Sequence, residues 1–177
     1  MFSRKPVRLV EAFIAVGMLA LVATAVAPRW GAAAPGTRSA TGPDATLRQD
    51  LQVWRVAIEA YYRDHGVFPG QTDDGQNPAG TAAAVVAQLT GFTDEAGQVS
   101  TTPRGRFRFG PYLRRGIPAC PVPPREGLRG VLVVRGSAAP CFQGEAKDAG
   151  WVYNCDTGEV VVNSNHADGA GRAFLRY

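Results

Sequence analysis

From Ala12 to Ala27 the chain carries no charge, and only Gly17 and Thr24 interrupt an otherwise apolar run. A helix from Val7 to Pro28 would be roughly 33 Å long at about 1.5 Å per residue, which matches a hydrocarbon core of about 30 Å. The sequence therefore predicts a transmembrane helix over 7–30 and one modest domain beyond it, because single cores use about 100 to 150 residues. Arg4, Lys5 and Arg8 precede the run and only Arg29 follows it closely. Basic residues stay on the cytoplasmic side, so the N-terminus is expected in the cytoplasm and the chain after Pro28 outside it, in a single-pass inner-membrane topology with a periplasmic domain. Three of the four net positive charges fall in the first thirty residues, with Glu11 set against Arg4, Lys5, Arg8 and Arg29. The body of the protein is nearly neutral, so the basic end marks membrane orientation more than a polyanion partner.

Glu11 is the residue that a plain membrane anchor leaves without a purpose. An intramembrane carboxylate costs roughly 2.5 to 3.5 kcal/mol at a helix centre, less near the edge, and it marks a charge partner. A cleaved secretory signal is the competing reading. "AVA" at 25–27 and "AAA" at 32–34 have the small-x-small outline, but Pro28 and Pro35 follow them directly, whereas a site after Ala25 has no proline next to it.

The stretch "VRLVEAFIAVGMLALVATAVAP" resembles the N-terminal helix of type IV pilins and of type II secretion pseudopilins. Counted from Val7, Glu11 is the fifth residue and Pro28 the twenty-second, the positions of that family's glutamate and proline. The resemblance implies leader cleavage between Pro6 and Val7 by a prepilin peptidase. It also implies subunit assembly through Val7 and Glu11, the carboxylate pairing with the free amine of a neighbouring subunit. Pro6 stands where the family's leader ends in glycine, Val7 where phenylalanine is usual, and Arg8 where threonine is usual. The implied partners are other pilin or pseudopilin subunits, the inner-membrane assembly platform and the lipid bilayer.

Residues 31–46, "GAAAPGTRSATGPDAT", have no apolar periodicity and read as a flexible linker. Leu47, Leu51, Trp54, Ile58, Tyr61 and His65 then recur at steps of four and three. They predict an amphipathic helix with Thr46 as N-cap and Gly66 as stop, ahead of Pro69. Its phrase "LRQDLQVWRVAIEAYYRDHGVFPG" resembles the corresponding helix of major pseudopilins, in particular a planctomycete-type group with a short "HG..PG" loop. A second helix is expected around 82–90, and strands over 130–136, 150–165 and 173–177, with Asp156-Thr157-Gly158 as a hairpin turn. "GPYLRRGIP" and "GWVYNCDTGEVVVNSN" resemble further elements of the same family. The expected fold is α+β, an amphipathic helix packed on a small antiparallel sheet, with residues 47–177 as the extracytoplasmic domain and 1–6 as a leader-like segment.

Catalytic signals are few. The two histidines, His65 and His166, are far apart and lack ligand-spaced neighbours, and there is no G-x-S-x-G elbow, P-loop or dinucleotide fingerprint. Neither enzymatic turnover nor a cofactor is expected. The pseudopilin resemblance implies calcium near the C-terminus, with Asp168 where the family's first aspartate lies, although the later acidic pair is missing from "RAFLRY". "RGRFRFGPYLRR" (104–115) interleaves five arginines with aromatics and raises nucleic-acid binding as an alternative. Alternation explains it more simply as a half-buried strand with Phe107 and Phe109 inward. The three cysteines, Cys120, Cys141 and Cys155, predict one disulfide and one thiol left over. The sequence does not choose among the three pairings, and Cys120 with Cys141 is preferred because it closes the Pro- and Gly-rich insert. The sequence thus points to a structural subunit of a type II secretion pseudopilus or related filament. A DNA-binding pilin and a membrane-anchored binding domain that does not polymerise are the alternatives.

Overall fold

The computed structural model describes residues 42–177. The predicted transmembrane helix over 7–30, the leader-like segment and most of the linker lie outside the described residues. Among the described residues no helix is long and apolar enough to cross a membrane.

The first helix, α1 (Pro43–His65), begins four residues before the expected Leu47. Pro43 occupies the first helical position, where no N–H is needed, and the extended Gly42 offers its carbonyl to the N–H groups of Ala45 (3.0 Å) and Thr46 (3.1 Å). Thr46, read as the N-cap, instead turns its hydroxyl back to the Gly42 carbonyl within the first turn. The helix ends as predicted at Gly66, whose φ of 71° lets its N–H reach the Tyr62 carbonyl at 2.7 Å. Leu47, Leu51, Trp54, Ala57, Ile58 and Tyr61 are buried, so the predicted apolar stripe is the core face.

The second helix, α2 (Ala82–Thr90), has the expected bounds. Thr81 caps it by accepting the Ala84 N–H at 3.2 Å. A two-stranded antiparallel ribbon follows, β1 (Phe92–Thr93) with β2 (Val99–Ser100). The main sheet has the order β3 (Gly130–Val134), β4 (Ala149–Asn154), β5 (Val160–Val162). The α+β class is as predicted, and β4 and β5 form the predicted antiparallel hairpin. β3 differs, because it pairs with β4 in parallel. A parallel neighbour requires the chain to return to its starting end, and residues 135–148 make that crossover without a helix of their own.

All six residues of β4 are buried, so both faces of the central strand are covered. Trp151 and Tyr153 face α1, where Trp54 packs against them with ring centroids 6.1 and 6.4 Å away. Val131, Val160 and Val162 complete that layer. Strand alternation turns Asn154 and Asn163 to the other face, toward the crossover. The fully buried Asn163 donates to the carbonyls of Gln143, Ala146 and Ala149 and accepts the Gln143 N–H. Asn154 donates to the carbonyls of Gly136 and Ala138. Two amides therefore hold an irregular segment against a sheet.

Two expected strands are not formed. Residues 173–177 close into a 3-10 turn at Phe174–Arg176, because the N–H groups of Arg176 and Tyr177 bond three residues back. The 104–109 segment touches β1 only where Phe109 and Thr93 exchange backbone bonds, while Phe107 and Arg108 bond within their own turn. Phe107 and Phe109 are half-buried and Arg106 and Arg108 exposed, so the inward and outward sense holds without a strand.

Candidate functional site

Val7, Glu11 and Pro6, the residues assigned to assembly and cleavage, lie outside the described residues. The cysteine pairing differs from expectation: Cys120, Cys141 and Cys155 are all free thiols. Cys120 is buried in the core, its Sγ donating to the Val122 carbonyl at 3.3 Å, while Cys141 stands exposed and accepts from the Gln143 side chain. The Cys120 side chain packs directly on Gly150, where a built Cβ would lie 2.9 Å from that of Cys120. Cys155 lies just past the end of β4, five residues beyond Gly150 and about 17 Å further along at 3.3 Å per residue, far beyond the reach of a disulfide. Burial pushes the thiols of Cys120 and Cys155 upward, away from reactivity.

Asp168, the residue assigned to calcium, is engaged within the C-terminal turn. One carboxylate oxygen accepts the N–H groups of Ala170 (2.7 Å) and Arg172 (2.9 Å), and the other accepts the Tyr177 hydroxyl at 2.6 Å. The Tyr177 ring lies between the guanidiniums of Arg48 and Arg172, each 4.7 Å from its centroid. The aspartate thus holds Tyr177, which Arg48 and Arg55 join to α1, and no group of three or more His, Cys, Asp or Glu side chains that could hold a metal occurs among the described residues.

A polar node that joins three segments lies at the C-terminal end of α1. His65 Nε2 is 3.0 Å from the Thr93 hydroxyl and 3.1 Å from the Tyr112 hydroxyl, and Tyr112 donates to Asp64 at 2.9 Å. Tyr112 thus gives its proton to Asp64, and Nε2 sits between the Thr93 and Tyr112 hydroxyl oxygens. The ring stacks 4.1 Å from Tyr61 and meets Phe109 edge-on at 5.2 Å. Burial holds the His65 pKa below its ordinary value and raises those of Tyr61 and Tyr112. Thr93 is fully buried, and through it and Tyr112 the node joins α1, β1 and the 112 segment. The sequence places His65 at the end of the helix stripe. Its spacing of four from Tyr61 is the signal for the stack, whereas the partners Thr93 and Tyr112 come from remote segments that no local pattern links to it.

The arginine-rich stretch is partly neutralised by acids that the sequence does not single out. Arg106 pairs with the nearly buried Asp94 at 3.0 Å, and Arg108 pairs with Glu95. Each also stacks over the following phenylalanine, at 5.1 and 5.2 Å. A single strand of nucleic acid needs open ring faces and uncommitted cations in series, and at 106–109 both are engaged.

No protein-family model matches the sequence, and neither the curated proteins nor the solved structures include a match.

Proposed function

We propose that the chain is a structural subunit of a type II secretion pseudopilus or related type IV pilus-like filament. It is held in the inner membrane by the helix over 7–30, with its domain outside the cytoplasm. The observation that carries this reading is the placement of α1. A 23-residue helix lies by one face on the sheet, C-terminal to an apolar segment with Glu11 and Pro28 in the pilin register. The polar clusters of the domain support a structural role, since the His65 node and Asp168 bind elements of the fold to one another. Assembly would run through the N-terminal helix, with Glu11 neutralised by the amine of a neighbouring subunit. Its partners would be other subunits, the assembly platform and the bilayer.

Mass spectrometry of the N-terminal peptide, taken from protein in its own membranes, tests the proposal. A chain beginning at Val7 with a methylated amine is the expected result. A start at Met1 or near Val26 would remove the polymer from the reading.

A further inference from the structure

Beside the first turns of α1 runs a trough of about 720 Å³, bounded on the other side by the 112–119 segment. Its walls include Val53, Leu113, Pro118 and Ala119, and its rim carries Arg114, Arg115 and Arg129. Arg129 donates to the Ile117 carbonyl. Arg114 and Arg115 are exposed and make no hydrogen bond or ion pair among the described residues, unlike Arg106, Arg108 and Arg135. Against three guanidiniums stands one carboxylate, the half-buried Asp50, whose pKa burial raises. The apolar surface continues along α1, where Val53 is 43 % and Val56 53 % exposed, one turn apart.

We propose that this trough is a docking site for an acidic polypeptide segment that also carries apolar side chains. The excess of unpaired guanidiniums selects carboxylates, and the walls together with Val53 and Val56 accept the apolar groups between them. A second copy seated helix-on-helix is less suitable. An antiparallel pairing centred between Val53 and Val56 sets Asp50 opposite the Glu59 of the second copy, a like-charge contact. Nucleic acid is also less suitable, because the one aromatic ring at the trough, Tyr112, packs edge-on against Tyr61 at 5.4 Å. The inference concerns a surface of the domain and stands whether or not the chain polymerises.

The test uses the full chain in a nonionic detergent and a labelled peptide about ten residues long that alternates glutamate with leucine, long enough to run through the trough and past Val56. Fluorescence anisotropy should show saturable binding that weakens as salt is added. Binding should fall at least about tenfold in the double variant R114E/R115E and again in V53D. Neither change removes a partner within the fold, so the melting temperature should be unchanged. A glutamate–serine peptide of equal length should bind at least about tenfold more weakly, which separates a trough from plain charge attraction. Equal binding of the glutamate–serine peptide, or of a thymidine oligonucleotide, overturns the proposal. Failure of the leucine peptide to bind overturns it too, as does concentration-dependent dimerisation that R114E/R115E abolishes.

Discussion

Replacing Asn163 by leucine should be among the most damaging single changes available in this domain. The side chain is fully buried and makes four hydrogen bonds, three to the crossover and one to the first residue of β4: it accepts the Gln143 N–H at 2.8 Å, and its two N–H protons are shared among the carbonyls of Gln143 (3.2 Å), Ala146 (3.2 Å) and Ala149 (2.9 Å). At about 1 kcal/mol net for each bond the loss is about 4 kcal/mol, and leucine leaves buried carbonyls and an N–H without partners. The greater apolarity of leucine offsets about 1 kcal/mol of this. The expected net loss is about 3 to 4 kcal/mol, a large part of the about 5 to 15 kcal/mol that holds a typical domain. Urea unfolding of the full chain reports it through the emission of Trp54 and Trp151, both fully buried beside the same sheet. N163D, nearly isosteric, turns an oxygen toward three carbonyls and should lose at least as much. If N163L unfolds within about 1 kcal/mol of the parent, the crossover is held by something other than the amide, and the account of the parallel β3–β4 pair is wrong.

The His65 node gives a pH dependence of defined sign. Burial lowers its pKa in the fold below 6.5, so the folded state favours the neutral ring, and stability should be complete above the unfolded value and fall as pH drops through it. H65F should flatten the stability curve in that window, and an unchanged slope would refute the assignment. Gly158 holds φ at 75° with a built Cβ only 2.5 Å from the Phe68 ring, so G158A should cost about 1 to 3 kcal/mol in thermal melting. An alkylating reagent should modify Cys141 alone in the native protein, with Cys120 and Cys155 reacting only in denaturant. Rapid native labelling of all three would contradict their placement. Gln88 accepts the Gly70 N–H at 2.7 Å and donates to the Gly97 carbonyl at 3.2 Å, so Q88L should speed hydrogen exchange at Gly70 by at least about tenfold.

What the sequence discloses of this domain is what short-range periodicity encodes. The stripe from Leu47 to Tyr61, the bounds of α2 and the hairpin around Asp156-Thr157-Gly158 each depend on neighbours within a few residues, and each is where the pattern puts it. The early start of α1 depends on Pro43 and Gly42, which composition assigns to a linker although Pro followed by Asp is also a helix opening. The node around His65 joins segments 28 and 47 residues apart, and the ion pairs of Arg106 and Arg108 reach back to Asp94 and Glu95 across a turn; no local spacing signals either.

The parallel strand shows what hides a non-helical crossover from sequence periodicity. A helical crossover would announce itself by an apolar stripe at a period of 3.6, because it covers the sheet with side chains. Here the far face of β4 is covered by an irregular segment whose own carbonyls and N–H groups face the sheet, so the complementary groups must be polar and must come from the strands. Asn154 and Asn163 are those groups. In the sequence each looks like the polar end of a strand near a turn, where asparagine is common. Only their complete burial distinguishes them, and with it the requirement that any residue substituted there still donate to the crossover carbonyls.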